Sequence, residues 1–254
     1  MAIPGAKDRA SELEALILRH QELYYNGEPE ISDEEFDALW EELKSIDPLN
    51  PILARVGADA QEGWPKASHL MPMGSQSKAS SIQEFAEWAA KRGPGPFLVQ
   101  YKLDGASLEV QYNRGRIQRA VTRGDGLTGD DITPNAVRMK GVLKTLPFPF
   151  TGAVRGEVLM SRETHGRTYA DKANCRNAAN GLMKRKDGVG SEDLDLICYD
   201  AKGWVEREDG SRDRPFSDEL EKIEWLKEAG FAVVKTEVLA DAEDVVAYRA
   251  TTME

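Results

Sequence analysis

A short apolar run leads into a lysine, a carboxylate and a turn glycine in Val99-Gln100-Tyr101-Lys102-Leu103-Asp104-Gly105. Phe97 to Tyr101 reads as a strand that delivers Lys102 to the mouth of a sheet, beside an acid. An amine attacks only when neutral, so such a site must ease its deprotonation by desolvation or by a nearby cation. Alone, this pattern is better described as a surface lysine ahead of a hairpin. Three further clusters follow it in order. They are Thr122-Arg123-Gly124-Asp125-Gly126-Leu127-Thr128-Gly129-Asp130-Asp131, then Val154-Arg155-Gly156-Glu157-Val158, then Asn174-Cys175-Arg176-Asn177-Ala178-Ala179-Asn180-Gly181. Glu157 falls in the middle of an apolar run, where a glutamate is costly without a partner, which favours a site over a packing role.

Elements of mixed type must hold these residues. Leu13, Leu16, Ile17, His20 and Tyr24 recur at helical spacing, which predicts a helix over 11–25. Ser11 and Glu14 fit a capping box at its start, and Asn26-Gly27 fits its stop. A second capping box, Ser32 to Glu35, opens a helix to about Ile46, with Asp33 and Asp37 on one face beside Phe36. On pattern alone this is a helical hairpin with a solvated acidic edge. Asp47-Pro48 ends it, and a polar linker is expected to about Leu70. A helix from Ile82 to Lys91 should turn Ile82, Phe85 and Ala89 to the core. Leu98 to Arg123, with the turn Asn113-Arg114-Gly115, reads as antiparallel strands. Strands are expected at 154–160, 194–199 and 231–238, and helices at 217–229 and 241–248. This order predicts an α+β fold with antiparallel sheets. The expected units are a small helical domain with its linker over 1–70 and a larger domain over 71–254.

The chain has 254 residues, 41% hydrophobic and 30% charged, with no apolar run long enough to span a membrane. Two cysteines, Cys175 and Cys198, make neither a disulfide framework nor a four-thiolate zinc site, so a cytoplasmic setting is expected. The formal net charge of −11 argues against an independent DNA clamp, because nonspecific DNA affinity comes from lysine and arginine displacing counterions.

In order and spacing, the four clusters resemble the adenylation domain of NAD-dependent DNA ligases, and the resemblance runs from about Leu16 to the last residues. It implies a nucleotidyltransferase fold and attack of the Lys102 amine on the α-phosphorus of NAD, leaving AMP on the lysine. Tyr24 and Tyr25, followed by Asp33, Phe36 and Asp37, are similar to the helical region that binds the nicotinamide mononucleotide half of NAD. The resemblance implies that Ser75 and Gln76 lie against the adenine and that Gln100 contacts its amino group. Arg123 and Glu157 would touch the AMP sugar, and Arg176 the phosphate. Asp104 and Glu157 would hold a hydrated Mg²⁺. Nicked double-stranded DNA is the implied partner of the longer protein, and this chain alone, a monomer, should bind DNA weakly.

The chain departs from the pattern at several positions. Phe36 replaces a tyrosine, Gln100 a glutamate, and Lys184 an arginine, so a hydroxyl, a charge and a two-pronged phosphate contact are altered. Ser77 and Lys78 stand where an aspartate and an asparagine are common. Family sequences also continue into a strand with an Asp-Gly pair and a lysine on the AMP phosphate, so the chain reads as the front part of a longer ligase. Two other readings stay open: a module that binds NAD without chemistry, and an ATP-dependent polynucleotide ligase, against which the Tyr24 to Asp37 segment argues.

Overall fold

The computed structural model describes residues 6–26, 30–48, 50–54, 63–74 and 76–252. Helix α1 (Ala6–Asn26) and helix α2 (Asp33–Ile46) pack antiparallel around Leu13, Ile17 and Leu43, which are fully buried. The predicted capping box of α2 forms: Ser32 Oγ accepts from Glu35 N, and Glu35 accepts from Ser32 N. The one predicted for α1 does not. That helix already runs from Ala6, so Ser11 and Glu14 lie within it, and Glu14 instead accepts from Asn50 Nδ2.

The segment expected to be linker carries structure of its own. It holds a short helix, α3 (Pro51–Ala54), and a strand, β1 (Lys66–Ser68). Helix α4 (Ile82–Arg92) follows, capped by Ser81, with Ala89 buried and Phe85 ringed by Trp88 and Phe97. Ile82 is exposed, contrary to expectation, because it sits at the first turn beyond the reach of that cluster.

Strand β2 (Phe97–Gln100) precedes the lysine and ends one residue earlier than the sequence suggests. The main sheet is built from β3 (Ala106–Asn113), β4 (Arg116–Thr122), β6 (Phe150–Leu159), β7 (Asp195–Glu206) and β8 (Arg212–Asp213). Its order is β4-β3-β6-β7-β8, antiparallel throughout. Strand β5 (Thr128–Asp130) pairs with β1 outside this sheet. Strand β9 (Thr236–Leu239) is shorter than expected and pairs with β2, from Phe97 opposite Leu239 to Gln100 opposite Thr236. The segment with the nucleophile candidate therefore hangs on its own two-stranded ribbon.

Alternate residues of the main sheet face opposite ways. Leu108, Val110, Tyr112, Val154, Val158 and Leu196 enter one core with helix α7 (Cys175–Met183) and helix α8 (Glu219–Glu228). Trp225 of α8 anchors the far end, its ring centroid 4.7 Å from that of Phe150. Helix α5 (Thr133–Ala136) and helix α6 (Arg162–Thr168) flank this core, and helix α9 (Ala242–Thr252) lies against β2 and α4.

Candidate active site

The other face of the sheet carries polar side chains in register. Ser107 on β3 is opposite Glu157 on β6, and Glu109 is opposite Arg155. Glu157 lies in the second half of β6 and not at its middle, because that strand begins at Phe150. Beside them opens a cleft of about 640 Å³, lined by Gln76, Gln100, Lys102, Arg123, Glu157 and Arg176 among others. Most of the cofactor-binding residues predicted for the larger domain thus meet in one place.

Ser107 Oγ donates to Glu157 Oε2 at 3.0 Å. Burial raises the carboxyl pKa of Glu157 despite that bond and despite the charges of Arg176, Lys102 and Arg123. Three cations and one half-buried acid therefore converge here. Tyr199 of β7 lines the same wall, and burial pushes its hydroxyl well above the usual phenol range. Lys102 follows β2 on an exposed stretch and Gly105 closes it. Asp104 is largely exposed and accepts from Arg176 Nη1 at 3.2 Å. The acid expected at a metal and the arginine expected at a phosphate are thus paired with each other.

Helix α7 supplies one wall because Asn174 caps its start, its side chain accepting from Asn177 N at 2.8 Å. Arg176, Asn180 and Lys184 recur every four positions and all line the cleft. Burial lowers the pKa of the Lys184 ammonium, while the charge of Asp130 opposes that shift. Asp130 is itself fully buried and holds Lys66 Nζ at 3.0 Å. The opposite wall is the turn after β4. Asp125 Oδ1 accepts from Leu127 N and Thr128 N, which folds Arg123 to Thr128 back on itself. Gly129 permits the close pass: a Cβ there would lie 1.7 Å from the Thr122 carbonyl oxygen.

Gln100 reaches the cleft with its amide nitrogen donating to Thr236 Oγ1 at 3.1 Å, so β9 fixes its orientation. Gln76 and Lys78 form the rim, and Lys78 is hydrogen-bonded to Asp37 of α2. That contact brings the acidic face of the helical pair to the edge of the cleft. Phe36 is half-buried against Trp40, ring centroids 6.0 Å apart, within the small core of that pair. The side chains of Tyr24, Tyr25 and Asp33 lie outside the described residues, as does Ser75. Among the described residues no group of three acidic, histidine or cysteine side chains gathers around a metal-sized space. Among the described residues, Glu157 lines the cleft and Asp104 lies beside it, paired to the lining Arg176.

Sequence reasoning overlooked the buried polar residues behind the cleft. Glu109 is fully buried and accepts from Leu70 N, Met71 N and Gln111 Nε2. Arg155 Nη2 donates to the carbonyls of Met71 and Pro72. The only signal in the sequence was an acid and a glutamine two apart in β3, which alternation assigns to a solvated face.

A lysine at a cleft mouth, faced by arginines and one half-buried acid on an antiparallel sheet, marks a nucleotidyltransferase-type domain. The chain belongs to the NAD-dependent DNA ligase adenylation domain family, whose model matches residues 61–254. Residues 4–60 match the DNA ligase-like, N-terminal NAD⁺-binding domain. Among curated relatives, a DNA ligase of Treponema pallidum is 48% identical over 98% of this chain and 31% of its own length. One from Treponema denticola is 49% identical over 97% of this chain and 40% of its own length. The chain thus spans about a third of the length of the curated relatives it matches. A solved Naegleria gruberi RNA ligase with AMP and Mn aligns over 75% of this chain and 50% of that one, at 14% identity and TM-score 0.36, too remote to add to the assignment.

Proposed function

We propose that this chain is the NAD-recognising and self-adenylating front of an NAD-dependent DNA ligase, and that Lys102 is its nucleophile. The observation that carries this reading is the convergence of Lys102, Arg123 and Arg176 on the half-buried Glu157, in a chain matched by both the NAD⁺-binding and the adenylation families.

In the step proposed, the neutral Nζ of Lys102 attacks the α-phosphorus of NAD. A phosphorus–nitrogen bond forms, the bond to the oxygen of the nicotinamide mononucleotide phosphate breaks, the mononucleotide leaves with that electron pair, and the amine releases one proton to solvent. Such transfers depend mainly on alignment and on neutralising phosphate charge. Arg123, Arg176 and Lys184 supply that charge from two walls. Glu157 holds the sugar hydroxyls and keeps the cations spread. Gln100 offers its carbonyl to the adenine amino group, its amide nitrogen being engaged by Thr236. Asp37, with Asp33, Phe36 and the two tyrosines, receives the nicotinamide half. Asp104 and Glu157 suit a hydrated Mg²⁺, which leans on one or two carboxylates and would neutralise phosphate charge when bound. In the longer protein the AMP would pass to the 5′-phosphate of nicked DNA.

Intact-mass measurement after incubation with NAD and Mg²⁺ tests this. One AMP adduct is expected, mapped to Lys102 and abolished in Lys102→Ala. An adduct on another lysine would give the role to that residue, and calorimetry with ATP binding as tightly as NAD would overturn the assignment.

A further inference from the structure

His69 opens the 69–73 turn and reaches the Arg123 turn, both of which contribute residues to the cleft, and its side chain is fully buried. Its Nε2 lies 3.1 Å from the carbonyl oxygen of Arg123. That oxygen can only accept, so Nε2 carries the proton and donates. The other ring nitrogen, Nδ1, is 3.6 Å from Glu109 Oε1 and has no hydrogen-bond partner. Glu109 in turn accepts the backbone N–H groups of Leu70 at 2.8 Å and Met71 at 3.0 Å. From the opposing position on β6, Arg155 Nη2 donates to the carbonyls of Met71 at 2.7 Å and Pro72 at 3.0 Å. The peptide groups of the 70–72 turn are therefore gripped from both sides, donors by an acid and acceptors by a guanidinium. Two backbone bonds complete the joint: His69 N to Leu127 O at 2.9 Å, and Met73 N to Gly126 O at 2.8 Å.

We infer that His69, backed by Glu109 and Arg155, is a positioning residue that locks the 69–73 turn to the Arg123 turn and so sets the width of the NAD cleft. None of the three needs to touch the reacting phosphorus. Their effect reaches the substrate through Met73 and Arg123, which line the cleft directly. Loosening the joint should therefore weaken NAD binding more than it slows the step at Lys102. The inference rests on NAD being the ligand of this cleft.

Two substitutions of similar polarity separate positioning from simple packing. Glutamine extends its amide nitrogen about as far as Nε2 and can still donate to the Arg123 carbonyl. Asparagine reaches only about as far as Nδ1. His69→Gln should bind NAD within about threefold of the wild type in calorimetry, while His69→Asn should bind about tenfold more weakly, the usual effect of one lost internal hydrogen bond. In intact-mass kinetics, the NAD concentration for half-maximal adenylation should shift in the same ratio, with the saturated rate nearly unchanged. Equal affinity in both variants, or a loss confined to the saturated rate, would overturn the inference. If both variants fail to fold, Arg155→Lys, which keeps the charge but loses the two-carbonyl grip, must weaken NAD binding for the idea to stand. A wild type that does not bind NAD at all would overturn the proposed function itself, and this inference with it.

Discussion

Glu157 sits in the cleft at a cost to folding. Its carboxyl pKa is raised above the ordinary 4.5 by burial, and the surrounding cations only partly offset this. A carboxyl that binds its proton more tightly when folded contributes stability that is fully present below its unfolded value. That contribution is lost as pH rises through the higher folded value. Ionised Glu157 is therefore a standing cost at neutral pH. Glu157→Gln keeps an acceptor for Ser107 and removes the cost. We expect its Tm to exceed that of the wild type by roughly 2–4 °C at pH 8, and the two to converge near pH 4. Paired thermal melts at the two pH values check this, and the same variant should lose the AMP adduct. A lower Tm at pH 8 would mean that neutralising the three cations matters more than burial. Glu109 presents the opposite case. Burial pushes its carboxyl up, but the neighbouring His69 ring and the hydrogen bonds donated by Gln111, Leu70 and Met71 outweigh that and hold it below the usual range. Its stability is present at neutral pH and is lost on acidification.

The elements meet tightly where β3 leaves the Lys102 segment. A Cβ on Gly105 would fall 2.3 Å from the Val158 carbonyl oxygen and 3.0 Å from Glu157 Cγ. Gly105→Ala must then push β3 from β6 beside the Ser107–Glu157 pair. A loss of about 1–3 kcal/mol in urea unfolding is expected, with weakened adenylation. A variant as stable as the wild type would show that the 101–105 stretch moves freely of β6. What could be read beforehand follows the same logic of range. The α2 capping box, the β3–β4 hairpin and the four site clusters are local, and their residue types and spacing declare them. The β2–β9 pairing was hidden because it joins distant segments with no turn to mark them. The Glu109, His69 and Arg155 joint was hidden because a polar residue at an alternate strand position looks solvated until the covering turn is known. Ser11 misled because a good cap sequence does not stop a helix whose upstream residues can continue it.

At the scale of the whole chain, charge limits what this part can do with DNA. A formal net charge of −11 leaves few counterions to displace, although Arg123, Arg176 and Lys184 line one cleft. In gel-shift measurements with nicked duplex, binding should be weak and should vanish as salt rises from about 50 to 200 mM, and the isolated chain should not join the nick. Tight, salt-resistant binding would reveal a DNA surface that net charge conceals. The two-stranded ribbon also gives assembly a direction in time. Gln100 finds Thr236 136 positions downstream, and β2 has no other strand partner among the described residues. During synthesis at about 5–20 residues per second, roughly 7–30 s separate the appearance of the two strands. Until then Lys102 is anchored on one side only, by the β3 hairpin that follows it. The nascent chain therefore presents Lys102 before the frame that fixes its position exists, and β9 is the last described strand to complete that frame.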